Sequence, residues 1–395
     1  MFVIALIIFL FLEVLTFLAL KEHYYKTSKT KFFFLLGIHS LLSAWLWLSL
    51  IRVVFYKDFF DNPINVRNQM TLAGLIIGVL LPRILLAFLH FTGKLFRIRR
   101  GGHIRWLTEA VIIYSAFIFL VVAYGTIHGR FNIKTEEVTI SIKDLDPRLE
   151  GLKIAQLSDL HLAGFCGHEK HLEYAIEKLN SFRPDLVINT GDFVTFGWRE
   201  FSRCDTILSK SGSIYGSFAV FGNHDMGVYY PGASDDDKNA IVMKMNELIT
   251  ASGYRVLNDE NVMVNIKGVK VAMIGVKTSG SHPYIIYGDL NKATEGIDSA
   301  DFKILLIHDP NQWDEEVVGK TDIDLSFAGH THGGQFGILT KKYKWCPVKY
   351  FYPRWYGLFT EGKQNLYVNR GLGYLGVPCR VGMPPEITFI TLKAD

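Results

Sequence analysis

For roughly the first 130 residues apolar positions follow one another without the polar alternation of a water-facing element. A helix crossing a bilayer needs about 20 predominantly apolar residues. Four stretches have that length: 1–20, 32–56, 70–92 and 106–128, the third containing Pro82 and Arg83. The first lacks the basic n-region and small-residue cleavage site of a removable leader, so the pattern predicts a membrane domain over 1–132 with about four transmembrane helices. Glu13, Arg52 and Arg83 lie inside apolar runs, where a charge is costly; they are expected to pair between helices or to snorkel, with no transport role.

From 133 to 395 the pattern changes to short apolar runs separated by Gly-containing turns and helical stretches, which predicts a layered α/β domain. Strands are expected over 137–142, 153–157, 185–190, 216–221, 262–266, 269–276, 303–307, 324–328, 365–369 and 386–392. A helix over 168–181 carries Leu172, Ala175, Ile176 and Leu179 on one face, and Pro184 stops it. The 226–260 stretch reads as an exposed insertion near the mouth of a site, its run Asp235-Asp236-Asp237-Lys238 as a solvated loop.

The chain has 395 residues, 49% of them hydrophobic, and a net charge of +4. The positive charge is local. Lys21, Lys26, Lys29 and Lys31 follow the first span, and Lys94, Arg97, Arg99, Arg100 and Arg105 precede the last. The other loops carry only Lys57 and Arg67, or Arg130 and Lys134. The excess of Lys and Arg marks cytoplasmic loops, which predicts a multi-pass cell-membrane protein with its α/β domain extracytoplasmic, and no nucleic-acid footprint. Cys166, Cys204, Cys346 and Cys379 form no CxxC pair. They read as small semi-buried side chains, with a Cys346–Cys379 bridge open in an oxidising compartment.

The chemistry sits just past the strand ends, in five motifs: Ser158-Asp159-Leu160-His161, Gly191-Asp192, Gly222-Asn223-His224-Asp225, Ile307-His308-Asp309 and Gly329-His330-Thr331-His332-Gly333-Gly334. They offer carboxylates, imidazoles and an amide carbonyl but no thiolate, a donor set suited to Mn, Fe or Zn. Asp159 and His161, two residues apart, project to one side of an extended strand end and can chelate one ion.

In this order the motifs resemble the calcineurin-like metallophosphoesterase superfamily. Val368-Asn369-Arg370-Gly371-Leu372-Gly373 and Pro384-Pro385-Glu386-Ile387-Thr388 are similar to its bacterial membrane-anchored branch. The likeness spans about 150–392. It implies a four-layer αββα sandwich and two divalent metal ions, Mn favoured. Asp159, His161 and His332 would hold the first ion, Asp192 would bridge, and Asn223, His308 and His330 would hold the second. His224 would be the general acid beside the phosphate. The implied reaction is hydrolysis of a phosphate monoester, diester or pyrophosphate by hydroxide activated between the ions.

Arg370 and Arg354 are further expected phosphate or head-group contacts, the latter equally a surface ion pair. One departure stands out. The family's GDxxD ends here in Thr195, so the carboxylate that orients the catalytic histidine is missing and another group, such as Asp225, must do so. The anchor and the aromatics Tyr350, Phe351, Tyr352, Trp355 and Tyr356 favour a lipid-linked or membrane-proximal substrate. A tethered general phosphatase for nucleotides or phosphoproteins, a non-catalytic membrane sensor and a cytoplasmic lipid-precursor pyrophosphatase are the alternatives. His168, His171, His282, Tyr229 and Tyr230 lie off the pattern and are expected at the surface or rim.

Overall fold

The computed structural model describes residues 2–55, 59–100, 105–278 and 288–395. By packing the chain forms two units. One comprises 1–59, 68–127 and 376–379, the other 60–67, 128–375 and 380–395.

The helical unit contains α1 (Phe2–Tyr24), α2 (Lys29–Phe55), α3 (Pro63–Arg100) and α4 (Arg105–Ile127). Among the described residues three segments are long and apolar enough to cross a membrane: Lys29–Ser49, Pro63–Thr92 and Glu109–Phe131. The first expected span is helical as α1, but the side chains of residues 1–6 lie outside the described residues. So do those of Lys57, Lys94, Arg97, Arg99, Arg100 and Arg105. The Glu13 carboxylate meets the Arg83 guanidinium at 2.5 Å and His39 Nε2 at 2.9 Å, and accepts a hydrogen bond from Ser43 Oγ at 2.6 Å. Three helices thus share one buried ion pair, the structural role expected of Glu13 and Arg83.

The α/β unit holds two six-stranded sheets. The first follows the order β1 (Lys134–Ile142), β14 (Glu386–Ala394), β2 (Lys153–Leu157), β3 (Leu186–Asn189), β4 (Ser217–Ala219), β5 (Arg255–Val256). The second runs β12 (Gly357–Glu361), β13 (Gln364–Val368), β9 (Leu325–Ala328), β8 (Phe302–Leu306), β7 (Val269–Gly275), β6 (Glu260–Ile266). A small hairpin, β10 (Ile338–Leu339) with β11 (Lys344–Trp345), stands apart. β2, β3 and β4 are mutually parallel, as are β7, β8 and β9.

Alternation along the strands builds the layers. Ile154, Leu186 and Ile188 join Ile304, Leu306, Leu325 and Phe327 in a core between the sheets. Ala155, Leu157 and Val187 face the opposite way, onto α5 (Glu169–Ser181), α6 (Cys204–Leu208) and α7 (Asp235–Ala251). Leu305 and Ala328 face outward onto a third core containing Trp313 and Ala293, the latter on α8 (Leu290–Ala293). The result is the expected four-layer αββα sandwich.

All ten expected strands are present, and β5, β10, β11 and β12 are additional. The acidic run at 235–237 is a correction: it opens α7 rather than forming a loop. Ser234 Oγ accepts from the Asp237 amide at 3.2 Å, and Asp237 accepts from the Ser234 amide at 2.9 Å. This capping box satisfies two end groups, and the carboxylates complement the positive end of the helix dipole. All four cysteines are free and buried, with no Cys346–Cys379 bridge.

Candidate metal centre

Each motif lies directly beyond the C-terminal end of a parallel strand. Asp159 and His161 follow β2, Asp192 follows β3, and Asn223 and His224 follow β4. His308 follows β8; His330 and His332 follow β9. Carboxyl-end loops of parallel strands converge on one crevice, so residues distant in sequence meet.

They meet closely enough to bind metal. Asp159, His161, Asp192 and His332 bring ligand atoms within 4.8 Å of one another; Asp192, His308 and His330 form a second such group, so Asp192 belongs to both. Five of these residues sit in the left-handed region: Asp159 (φ 50°), His161 (φ 42°), Asp192 (φ 58°), His330 (φ 69°) and His332 (φ 52°). Each such non-glycine position costs on the order of 1–3 kcal/mol, so the surrounding fold imposes these turns on the ligands. Room is equally constrained. A Cβ on Gly329 would stand 1.9 Å from Ser158 Oγ, and one on Gly222 2.1 Å from Asp192 Oδ1.

The outer hydrogen bonds fix which nitrogen each imidazole presents. His308 Nδ1 donates to the Thr190 carbonyl at 2.7 Å, leaving Nε2 facing Asp192 Oδ2 at 3.2 Å. His330 Nε2 is 2.8 Å from Tyr352 Oη, which turns Nδ1 toward His308 Nε2 at 3.1 Å. His161 Nδ1 lies 3.1 Å from Thr195 Oγ1, and its Nε2 faces His332 Nε2 at 3.1 Å. With these outer nitrogens of His308, His330 and His161 engaged, the inner nitrogen of each imidazole is the one left to face a cation. Asn223 Oδ1 is buried without a hydrogen-bond partner, while Nδ2 donates to Tyr229 Oη at 3.0 Å. A buried acceptor-only atom left without a hydrogen bond fits a metal ligand.

Electrostatics agree. Burial pushes Asp159 up to about 6, and lowers His161 and His330 to about 3. Burial alone would also lower His308, but the Asp192 carboxylate overrides it and raises that imidazole to about 10. The field that draws a proton onto His308 is the field that would hold a cation. The donor set therefore suits divalent metal ions.

Residues 152–334 match the family model for calcineurin-like phosphoesterases. An uncharacterized metallophosphoesterase of Bacillus subtilis, YkuE, is 30% identical over 275 residues, spanning 66% of this chain and 86% of that protein. The chain belongs to the calcineurin-like metallophosphoesterase family. A transmembrane protein with a metallophosphoesterase domain from Danio rerio is 27% identical over 373 residues, 88% of this chain and 79% of its own. That alignment extends into the helical part, because 133–395 holds only 263 residues. An uncharacterized metallophosphoesterase of Campylobacter jejuni is 28% identical over 288 residues, 72% of this chain and 69% of its own. The protein is thus a metal-dependent phosphoesterase with apolar helices that associate it with a membrane.

In this metallophosphoesterase Thr195 answers the missing carboxylate in two ways. Its backbone carbonyl accepts from His224 Nδ1 at 2.7 Å, and its hydroxyl meets His161. Asp225, the suggested alternative, does not orient His224. Its carboxylate accepts the amides of Asp192, Phe193 and Gly222 at 2.8–2.9 Å and so shapes the turns beneath the ligands. Arg370 is also corrected as a phosphate contact. It is fully buried, with Nε on Glu386 at 2.5 Å and Nη2 on Glu136 at 2.6 Å, because β14 and β1 bring those carboxylates to it. Arg354 pairs with Asp314 and Glu361, as the surface reading had it.

Three contributors had no local signal. Tyr229 stacks on the His224 ring at 4.1 Å, Tyr352 holds His330, and buried Arg380 binds the carbonyls of Arg370 and Gly373 beside His332. Tyr229 was expected only at the rim. His171 stacks on Phe131, and His282 lies outside the described residues.

Proposed function

We propose that the protein is a dinuclear phosphohydrolase acting on a lipid-linked or membrane-proximal phosphate ester or pyrophosphate. Asp159, His161 and His332 would hold one divalent ion and Asn223, His308 and His330 the other, with Asp192 available to both. Two such ions, Mn favoured, would supply an activated water and neutralise charge developing on the phosphoryl oxygens. His224, with Nδ1 committed to the Thr195 carbonyl, turns Nε2 to the leaving oxygen and exchanges its proton there. Tyr229 fixes the plane of that ring. The observation that carries the reading is the sharing of Asp192 between two donor groups.

The lipid preference rests on the segment around Tyr352. From residue 325 to 360 there is no Asp or Glu, against Lys341, Lys342, Lys344, Lys349 and Arg354. Tyr350 and Phe351 are 72% and 76% exposed beside them. Basic and aromatic side chains together suit an anionic lipid surface.

We place the α/β unit outside the cytoplasm, on the distribution of Lys and Arg and on a parity argument. Residues 60–67, the end of the α2–α3 linker and the first turn of α3, pack with the α/β unit. The four crossings expected from the sequence would bring that segment and the chain after α4 to one side, and the distribution of Lys and Arg makes it the outer one. The test is a metal-dependent activity panel on the full chain in nanodiscs, with lipid phosphates, nucleotides and aryl phosphates, and Asp192→Asn as the control. Preference for lipid phosphates supports the reading; preference for nucleotides selects a tethered general phosphatase; no turnover of any phosphoester rejects hydrolysis.

A further inference from the structure

We infer that residues 60–67, the end of the α2–α3 linker together with the first turn of α3, form a positioning strap for the catalytic loops, and that Asp61 is its main anchor. The inference rests on the phosphohydrolase reading above and concerns how that site is kept in order.

Three loops that line the site are touched by this one short segment. The Phe60 ring packs on Phe196 at a centroid distance of 4.8 Å. The Asp61 carboxylate accepts a hydrogen bond from Tyr230 Oη and pairs with Arg199 Nη1 at 3.0 Å. Arg67 Nη1 donates to the Cys166 carbonyl at 2.5 Å. Each contact is one or a few residues from a site group. Phe196 follows Thr195, whose carbonyl and hydroxyl hold His224 and His161. Tyr230 follows Tyr229, which stacks on His224. Cys166 closes the turn that His161 begins.

These loops are otherwise secured from within. The Glu200 carboxylate accepts the amides of Thr195 and Phe196 at 2.7 Å from below. Asp61 and Phe60 grip the same 195–201 turn from its outer side. A turn held on both sides keeps the Thr195 carbonyl at one height above His224; released on one side, it gains freedom where the proton-transferring ring needs a fixed direction. Misplacement of a catalytic group by about 1 Å can cost on the order of a hundredfold in rate. Because the strap is continuous in sequence with α2 and α3, the apolar helices have a covalent route to the His224 environment.

Full-length protein in nanodiscs, loaded with Mn, tests this with Asp61→Ala, Asp61→Glu, Arg199→Ala and the Asp61→Ala/Arg199→Ala pair. The expected result for Asp61→Ala is a fall in kcat of about tenfold or more with KM within about twofold and two metal ions retained. Asp61→Glu restores most of the rate. The double variant is no worse than Asp61→Ala alone, because one contact is lost either way. Amide exchange over 194–201 rises in Asp61→Ala, a readout independent of turnover. Wild-type kcat and wild-type exchange in Asp61→Ala would overturn the strap, as would a loss of rate that tracks loss of metal or of fold. If the wild type hydrolyses nothing while exchange still rises, the phosphohydrolase reading fails and the strap stands as structure alone.

Discussion

Replacing Thr195 by Val separates the two tasks assigned to this residue. The change is nearly isosteric, and Thr195 is 3% exposed, so shape and burial are conserved. It removes the hydroxyl that meets His161 Nδ1 at 3.1 Å but leaves the backbone carbonyl that accepts from His224 Nδ1 at 2.7 Å. His161 Nδ1–H is then a buried donor without an acceptor, at a cost of about 1–3 kcal/mol. That energy falls on the state in which Nε2 is the ligand, so it weakens the first ion. The corresponding loss is on the order of 10- to 100-fold in metal affinity, the usual effect of removing an outer partner of a ligating histidine. Catalysis at saturating metal should change little, because the His224 tether is intact. Titrating Mn into metal-stripped full-length protein, by calorimetry and by recovery of phosphatase activity, measures both quantities. An unchanged metal affinity, or a collapse of kcat at saturating Mn, would refute the division of labour.

Further outcomes follow from the same geometry. Gly329→Ala places a Cβ 1.9 Å from Ser158 Oγ and 2.4 Å from Asp159 Oδ2, so the contact must open by about 1.5 Å to reach 3.4 Å. A displacement of that size should lower activity by at least about a hundredfold, seen in kcat/KM with folding checked by circular dichroism. Tyr352→Phe removes the partner of His330 Nε2 and should weaken the second ion selectively by about 10-fold or more, read from biphasic metal titration. Asp225→Asn sets an amide group against backbone donors of Asp192, Phe193 or Gly222 and should destabilise by about 1–3 kcal/mol, measured by thermal unfolding of the metal-free protein. The four thiols should react with a thiol reagent only after denaturation, since all are buried and free.

Much of this architecture was legible in sequence because it depends on local period. Leu186 and Ile188, Ile304 and Leu306, and Leu325 and Phe327 each recur at strand spacing, and the glycine-flanked polar motifs stand where those strands end. The donors were legible for a related reason: metal ligands must be particular residue types, and here they come in an ordered series. What the sequence hides is tertiary. No local pattern tells that a backbone carbonyl at 195 replaces a side-chain carboxylate. Arg370 sits in a motif yet is drawn into Glu136 and Glu386 by strands far from it in sequence. Residues 60–67 read as a loop between apolar helices, whereas Asp61 and Arg67 find their partners at Arg199, Tyr230 and Cys166. The Ser234–Asp237 capping box is different, since its spacing was there to be read as a helix start.

The central claim is that donors from Asp159 to His332 enclose two cations with Asp192 between them. Anomalous diffraction from Mn-loaded crystals of the full chain tests it directly. Two peaks per chain are expected, one touching Asp159, His161 and His332, one touching Asn223, His308 and His330, and both touching Asp192. A single peak, or two peaks without Asp192 in common, would contradict the account.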